Sequence, residues 1–417
     1  MTDRRSSGRV GAMDDQAICG VAMLTDHHAH WLPPALLTAL VARDDPPLAR
    51  QDGADWTFTA ALRPRHLPVH AYDLQARDAL LARLGIDRQM LSLSPLWNID
   101  RQPLDVALPL VRLFNDATIA AAQTGHRYGA FAAVPTVDVA AACRDLIRVG
   151  ETGAAAGVVL PACELTTRTR ADRWAPLFAI AAERRLRVFV HPGFDGSPPA
   201  AASSTMTAVA SARVFGVEPQ HQLGLAMLTL CHEGWLDDYP GLEVQFANLG
   251  GSFPFLLERL HRMVQDDGRD DRDHQARRNI LVDSASLGPA AIDCARRMLG
   301  ASRVVFGTDM PLFDAQCAVD TWRAEPVEST QADHPNPSRS GGEAITGQAE
   351  KFTGRPADQT QDVRRGGSGN SSENLDPGQL AHVPVESRGE VATVPGMLDD
   401  DQAVGESAGA RLEQGHR

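Results

Sequence analysis

Apolar residues fall in short runs along the first three quarters of the chain, with more polar, helix-like stretches between them. The runs cover residues 21–30, 88–95, 128–137, 156–162, 186–193, 242–251, 279–286 and 303–311. Most are continuous and rich in Val, Leu, Ile and Phe, as strands covered on both faces should be. Segments 73–86, 105–123, 253–264 and 290–300 instead carry apolar residues at intervals of three and four, the period of one helix face. Strand alternating with helix predicts a parallel sheet. Eight repeats predict an α/β fold, a (β/α)8 TIM barrel. An open, doubly wound sheet is the alternative, but no G-x-G-x-x-G follows the first strand.

Two stretches break the rhythm, residues 43–72 and 194–220. Both are long βα insertions, which in a barrel cover the C-terminal face where substrate sits. Residues 1–20 are polar and read as a flexible leader, leaving 21–354 for the barrel domain. Residues 355–417 contain no Phe, Trp or Tyr and more acidic than basic side chains, so a disordered C-terminal tail is expected. Segment 325–341 has a similar composition and reads as a long loop.

Composition narrows the chemistry. The 417-residue chain carries a formal charge of −13, which disfavours nucleic acid and anionic membrane as partners. No apolar run reaches the ~18 residues of a membrane span. The six cysteines form no C-x-x-C pair, and the N-terminus has no apolar signal core. Reduced thiols and a cytoplasmic location are the expectation. Of the 40 basic residues one is a lysine, Lys351. Schiff-base, P-loop and carbamylated-lysine chemistry would all have to use that residue.

Candidate chemistry sits at strand ends. Asp26-His27-His28-Ala29-His30 closes the first run. Strand alternation points His28 and His30 the same way, with Asp26 beside them, and two imidazoles so spaced can reach one metal ion. His191 ends the fifth run and Asp309 the eighth, each at or just before a turn-forming Pro. Each alone is ordinary. In a closed barrel the strand C-termini share one mouth, so His28, His30, His191 and Asp309 would face one point and form a mononuclear divalent site.

These motifs resemble the amidohydrolase superfamily, more narrowly the branch that contains aminocarboxymuconate-semialdehyde decarboxylase. The resemblance runs over about residues 22–354 and is carried by TDHHAHWLPP, VFVHPG, LEVQFANLGG, ILVDSAS and RVVFGTDMP, with residues 342–354 resembling the family's closing helix. It implies that His28, His30, His191 and Asp309 hold one divalent ion, Zn2+ with Mn2+ as the alternative, and that a homodimer is possible. One departure stands out. Where the family places a proton-exchanging His after the sixth strand, this chain has Asn248, which hydrogen-bonds but does not titrate. Asp309 and Asn248 are thus the candidate catalytic residues. Trp31, Trp97 and Phe194 are candidates for the wall of a substrate pocket, and Arg63 and Arg65 for holding a substrate carboxylate.

Three functions remain open. One is a non-oxidative decarboxylase of a small unsaturated or aromatic carboxylic acid. Another is a metal-dependent hydrolase of a lactone, ester or amide. The third is a weakened or non-catalytic relative, motivated by Asn248.

Overall fold

A computed structural model describes residues 23–60, 64–195, 207–264 and 279–324. All belong to one compact unit, Met1–His334. The leader 1–20, Arg63, the segments 325–341 and 342–354, and the tail 355–417 lie outside the described residues.

Among those residues, eight parallel strands form one sheet: β1 (Thr25–His30), β5 (Arg88–Ser92), β6 (Tyr128–Ala132), β7 (Ala155–Pro161), β8 (Arg187–His191), β9 (Val244–Phe246), β10 (Ile280–Asp283) and β11 (Val304–Val305). Each neighbours its successor, and each overlaps one of the eight apolar runs. The ends meet: His27 N–H donates to Phe306 O (2.8 Å), His30 N–H to Met310 O (2.6 Å) and Asp309 N–H to His28 O (2.8 Å). The sheet is therefore a (β/α)8 barrel, as the alternation predicts.

Helices α2 (Leu74–Leu84), α3 (Leu104–Gln123), α4 (Val139–Gly150), α5 (Arg168–Arg184) and α8 (Phe253–Val264), with Pro289–Leu299 and Ala315–Arg323, follow the strands. Side-chain caps set several starts: Asp73 accepts from Ala76 N, Asp138 from Ala141 N and Thr167 from Arg170 N. The largest core cluster joins Phe131, Phe189 and Phe246 on the strands to Trp174 and Phe178 on α5.

The two insertions have structures that the run pattern did not disclose. After α1 (Pro34–Val41), β2 (Leu48–Asp52), β3 (Asp55–Thr59) and β4 (Arg65–Leu67) form a small antiparallel sheet. Its signal was present: Trp56 and Phe58 alternate with polar residues after an Asp-Gly turn. After β8 come α6 (Ala208–Ser211), a π-helical turn over Ala212–Val217 and α7 (Glu218–Met227). Gly251, at φ +64°, lets the loop after β9 press on α7, because a Cβ there would lie 2.1 Å from Gln220 O.

Candidate metal centre

His28 and His30 leave β1, His191 ends β8, and Asp309 follows β11. All four are buried, and one ligand atom from each lies within 4.8 Å of the others. The ring Nε2 atoms converge: His28 to His30 is 3.3 Å, and His191 to each of them is 3.1 Å. Asp309 Oδ1 lies 3.1 Å from His30 Nε2 and 3.4 Å from His28 Nε2.

The outward ring atoms decide what this convergence means. His28 Nδ1 faces Asp283 Oδ1 (3.0 Å) and His191 Nδ1 faces Pro192 O (2.8 Å), which can only accept. His30 Nδ1 faces Ser92 Oγ (2.8 Å), whose hydroxyl hydrogen goes to Ala29 O (3.0 Å), so Ser92 also accepts from the ring. Each neutral imidazole therefore carries its proton on Nδ1 and a lone pair on Nε2. Three lone pairs and a carboxylate oxygen with no donor among the described residues then point at one another. That arrangement is repulsive unless a cation sits among them, so the residues fit a single divalent metal ion.

Without a metal ion, a proton on His28 supplies the positive charge these groups call for. Burial opposes charge on His28, but Asp283 and Asp309 outweigh it and push the ring up to about 10. Burial and the neighbouring His30 and His28 rings hold His191 well below its ordinary value. Burial likewise lowers His30. Burial resists ionisation of Asp309 too, yet the facing His28 and His30 hold its carboxyl well below the usual range. The centre calls for positive charge, and one ion supplies it to four donors at once.

Asp26 is not one of the four clustered residues, though its Oδ1 accepts the backbone N–H of His28 (3.1 Å). The β1–β5 register slips between Asp26 and Ala29, and the extra residue breaks the alternation. The Asp26 carboxylate instead accepts from Gln89 Nε2 (2.7 Å) and from Thr308 N and Oγ1 (3.0 and 2.7 Å). β11 comes this close to β1 because Gly307 has no side chain; a Cβ there would lie 2.9 Å from His28 Cβ.

Asn248 is buried at the start of a turn after β9. Its Nδ2 donates to Ala285 O (2.9 Å) and Ser286 Oγ (2.8 Å), and its backbone N–H to Asp283 Oδ1 (3.1 Å). Its amide hydrogens thus bracket the loops after β9 and β10. Both Asn248 and Ser286 sit at positive φ, 49° and 59°.

Trp97 stands edge-on to His30 at 5.5 Å, and Phe58 stands edge-on to Trp97 at 5.6 Å, so the small sheet walls the centre. Arg65 is the cross-strand partner of Phe58 and shares its face, at an exposed position. Phe194 is buried just past His191, its carbonyl facing Cys163 Sγ (3.3 Å). Trp31 packs in the cluster with Leu81 and Phe306, and its indole donates to Tyr72 O (3.1 Å), a core placement. His221 is exposed on α7 and His232 stacks on His261, so neither joins the cluster. Sequence reasoning assigned no role to Asp283, Ser92, Phe58 or Gln245; their signals were strand-end or strand-interior polar residues and one alternating hairpin.

A family model described as amidohydrolase matches residues 25–339. The 6-methylsalicylic acid decarboxylase of Penicillium expansum is 24% identical over 300 residues, which cover 69% of this chain and 84% of that one. The crystal structure of a 5-carboxyvanillate decarboxylase from Novosphingobium aromaticivorans, with bound manganese and 3-methoxy-4-hydroxy-5-nitrobenzoic acid, has a TM-score of 0.57 at 22% identity and covers 73% of this chain and 91% of its own. Metarhizium anisopliae IDCase in apo form also gives 0.57, at 19% identity, covering 72% and 89%. Barrel, centre and family model agree, and the chain belongs to the amidohydrolase family.

Proposed function

We propose that the protein is a metal-dependent, non-oxidative decarboxylase of a small aromatic carboxylic acid. The observation that carries this reading is the inward convergence of three imidazole lone pairs and Asp309 beneath an aromatic wall, in a chain whose relatives include decarboxylases of aromatic acids. His28, His30, His191 and Asp309 would hold the ion. Three neutral imidazoles and one carboxylate suit Zn2+, and manganese, bound in the structural relative, is the alternative. When bound, the ion supplies a Lewis acid that stabilises negative charge as the carboxyl group leaves.

The chain's own residues do the rest. In the reaction the bond from ring carbon to carboxyl breaks, CO2 leaves, and a proton takes its place on the ring carbon. Asn248 cannot deliver that proton. Asp309, the carboxylate of the cluster, would relay a proton from solvent through the oxygen not given to the ion. Trp97 and Phe58 wall the site and exclude water, Phe194 is a further wall candidate, and Arg63 or Arg65 pairs with a substrate carboxylate. The absence of a titrating side chain at position 248 favours a second reading, hydrolysis of a lactone, ester or amide with Asp309 as proton acceptor.

Metal content by mass spectrometry on wild type and His191→Ala is the first test. About one zinc or manganese per chain, lost in the variant, is the expected result. Hydroxybenzoic acids and lactones are then assayed for CO2 release and for ring opening. CO2 release supports the decarboxylase; ring opening alone replaces it with the hydrolase. No bound metal, even after reconstitution, overturns both and leaves a weakened relative.

A further inference from the structure

Among the described residues, two hydrogen-bond relays of one form flank β1. In the first, Arg77 Nη1 on α2 donates to Gln89 Oε1 on β5 (2.9 Å), and Gln89 Nε2 donates to Asp26 Oδ2 (2.7 Å). In the second, Arg187 Nη1 on β8 donates to Gln245 Oε1 on β9 (3.1 Å), and Gln245 Nε2 donates to Asp283 Oδ2 (2.9 Å). Both end on His28: Asp26 Oδ1 accepts its backbone N–H (3.1 Å) and Asp283 Oδ1 its ring Nδ1–H (3.0 Å).

The glutamines can face one way. Gln245 Nε2 also donates to His27 O (3.0 Å), so a flipped amide would set its oxygen against two acceptors and its NH2 against a guanidinium. Each amide therefore stands between a cation and a carboxylate, with both of its polar ends used. Gln89, Gln245, Asp26 and Asp283 are all fully buried, where an ionised carboxylate persists only with such donors. The relays differ in what they hold. The first joins backbone to backbone, since Arg77 Nη2 also donates to His30 O (2.7 Å) and Asp26 binds Thr308 N beside Asp309. The second reaches a ligand's ring.

We propose that the Arg187–Gln245–Asp283 relay positions the His28 ring toward the metal ion, with Gln245 as a positioning residue that makes no contact with the ion. This rests on reading the four-residue cluster as the metal site.

The test uses the full chain as wild type, Gln245→Met and Gln89→Met. Zinc affinity is measured by competition with a chromophoric chelator, and visible absorption is recorded after cobalt(II) loading. Gln245→Met should weaken zinc binding about 10–100-fold, the usual cost of losing a group that supports a metal ligand, and should shift the cobalt bands. Gln89→Met should chiefly lower the melting temperature of the metal-free protein. Zinc affinity within twofold of wild type and an unchanged cobalt spectrum in Gln245→Met would overturn the proposal. If that variant does not fold, Gln245→Glu, which sets a carboxylate against Asp283, is read by the same two measurements with the same expectations. Failure of the wild type itself to bind zinc would instead bring down the underlying site reading.

Discussion

At the residue scale, buried polar atoms divide into those the fold satisfies and those it leaves for a ligand or a proton. Asp283 belongs to the first group, accepting from His28, Gln245 and the backbone N–H groups of Asn248 and Ala285. Asp100 belongs to the second. Thr136 Oγ1 donates to its Oδ2 (3.0 Å), while Oδ1 is buried with no donor among the described residues. Burial pushes its carboxyl from 3.8 up to about 7. The folded state therefore binds a proton that the unfolded chain has released between about pH 4 and 7. Stability from this group is full below that window and is lost as pH rises through it. Urea unfolding of wild type and Asp100→Asn at pH 5 and pH 8 reads the effect. Wild type should lose about 2–3 kcal/mol more than the variant between the two. Equal losses would show that Asp100 does not hold its proton.

At the element scale, the site is made by strand ends and the loops that brace them. A bulge in β1 keeps the Asp26 carboxylate out of the imidazole cluster, and Gly307 admits β11 against His28. Asn248 joins the loops after β9 and β10 through two amide hydrogen bonds at paired positive-φ residues. An imidazole has no NH2 with which to reach Ala285 O and Ser286 Oγ together. Asn248→His should cost about 1–3 kcal/mol, the range for unsatisfied buried groups, and should not raise turnover on an aromatic acid. Chemical denaturation and a CO2-release assay check both parts. A gain in turnover would mean that the lost proton donor, rather than the bracket, governs this position. The aromatic wall is also an element property, because Phe58 reaches Trp97 only once β3 folds as a hairpin over the mouth.

For the whole molecule, the four candidate ligands come from distant parts of the chain and meet only when the barrel closes. On the proposed reading, metal binding and folding of the unit are linked. At a metal concentration a hundredfold above Kd the ion should add about 2.7 kcal/mol of stability. Thermal melts should thus shift downward on chelation and recover with zinc, and His191→Ala should show no chelator effect. An identical melt for chelated and reloaded wild type would contradict the linkage. No helix among the described residues is long and apolar enough to cross a membrane, and the match to the family model runs through the whole barrel.

The chain's own pattern determined the eight strands, their order and the four side chains that converge at the mouth. Each depends on local rules: apolar runs for doubly covered strands, and functional groups at strand C-termini. Tertiary structure decided the rest. The turning away of Asp26 depends on pairing register with β5, which no single segment encodes. The core placement of Trp31 depends on α2 and the last strand covering that face of β1. The roles of Gln245 and Asp283 depend on three strands meeting inside a closed barrel, because a polar strand residue reads alike in sequence whether it faces water or completes a buried relay.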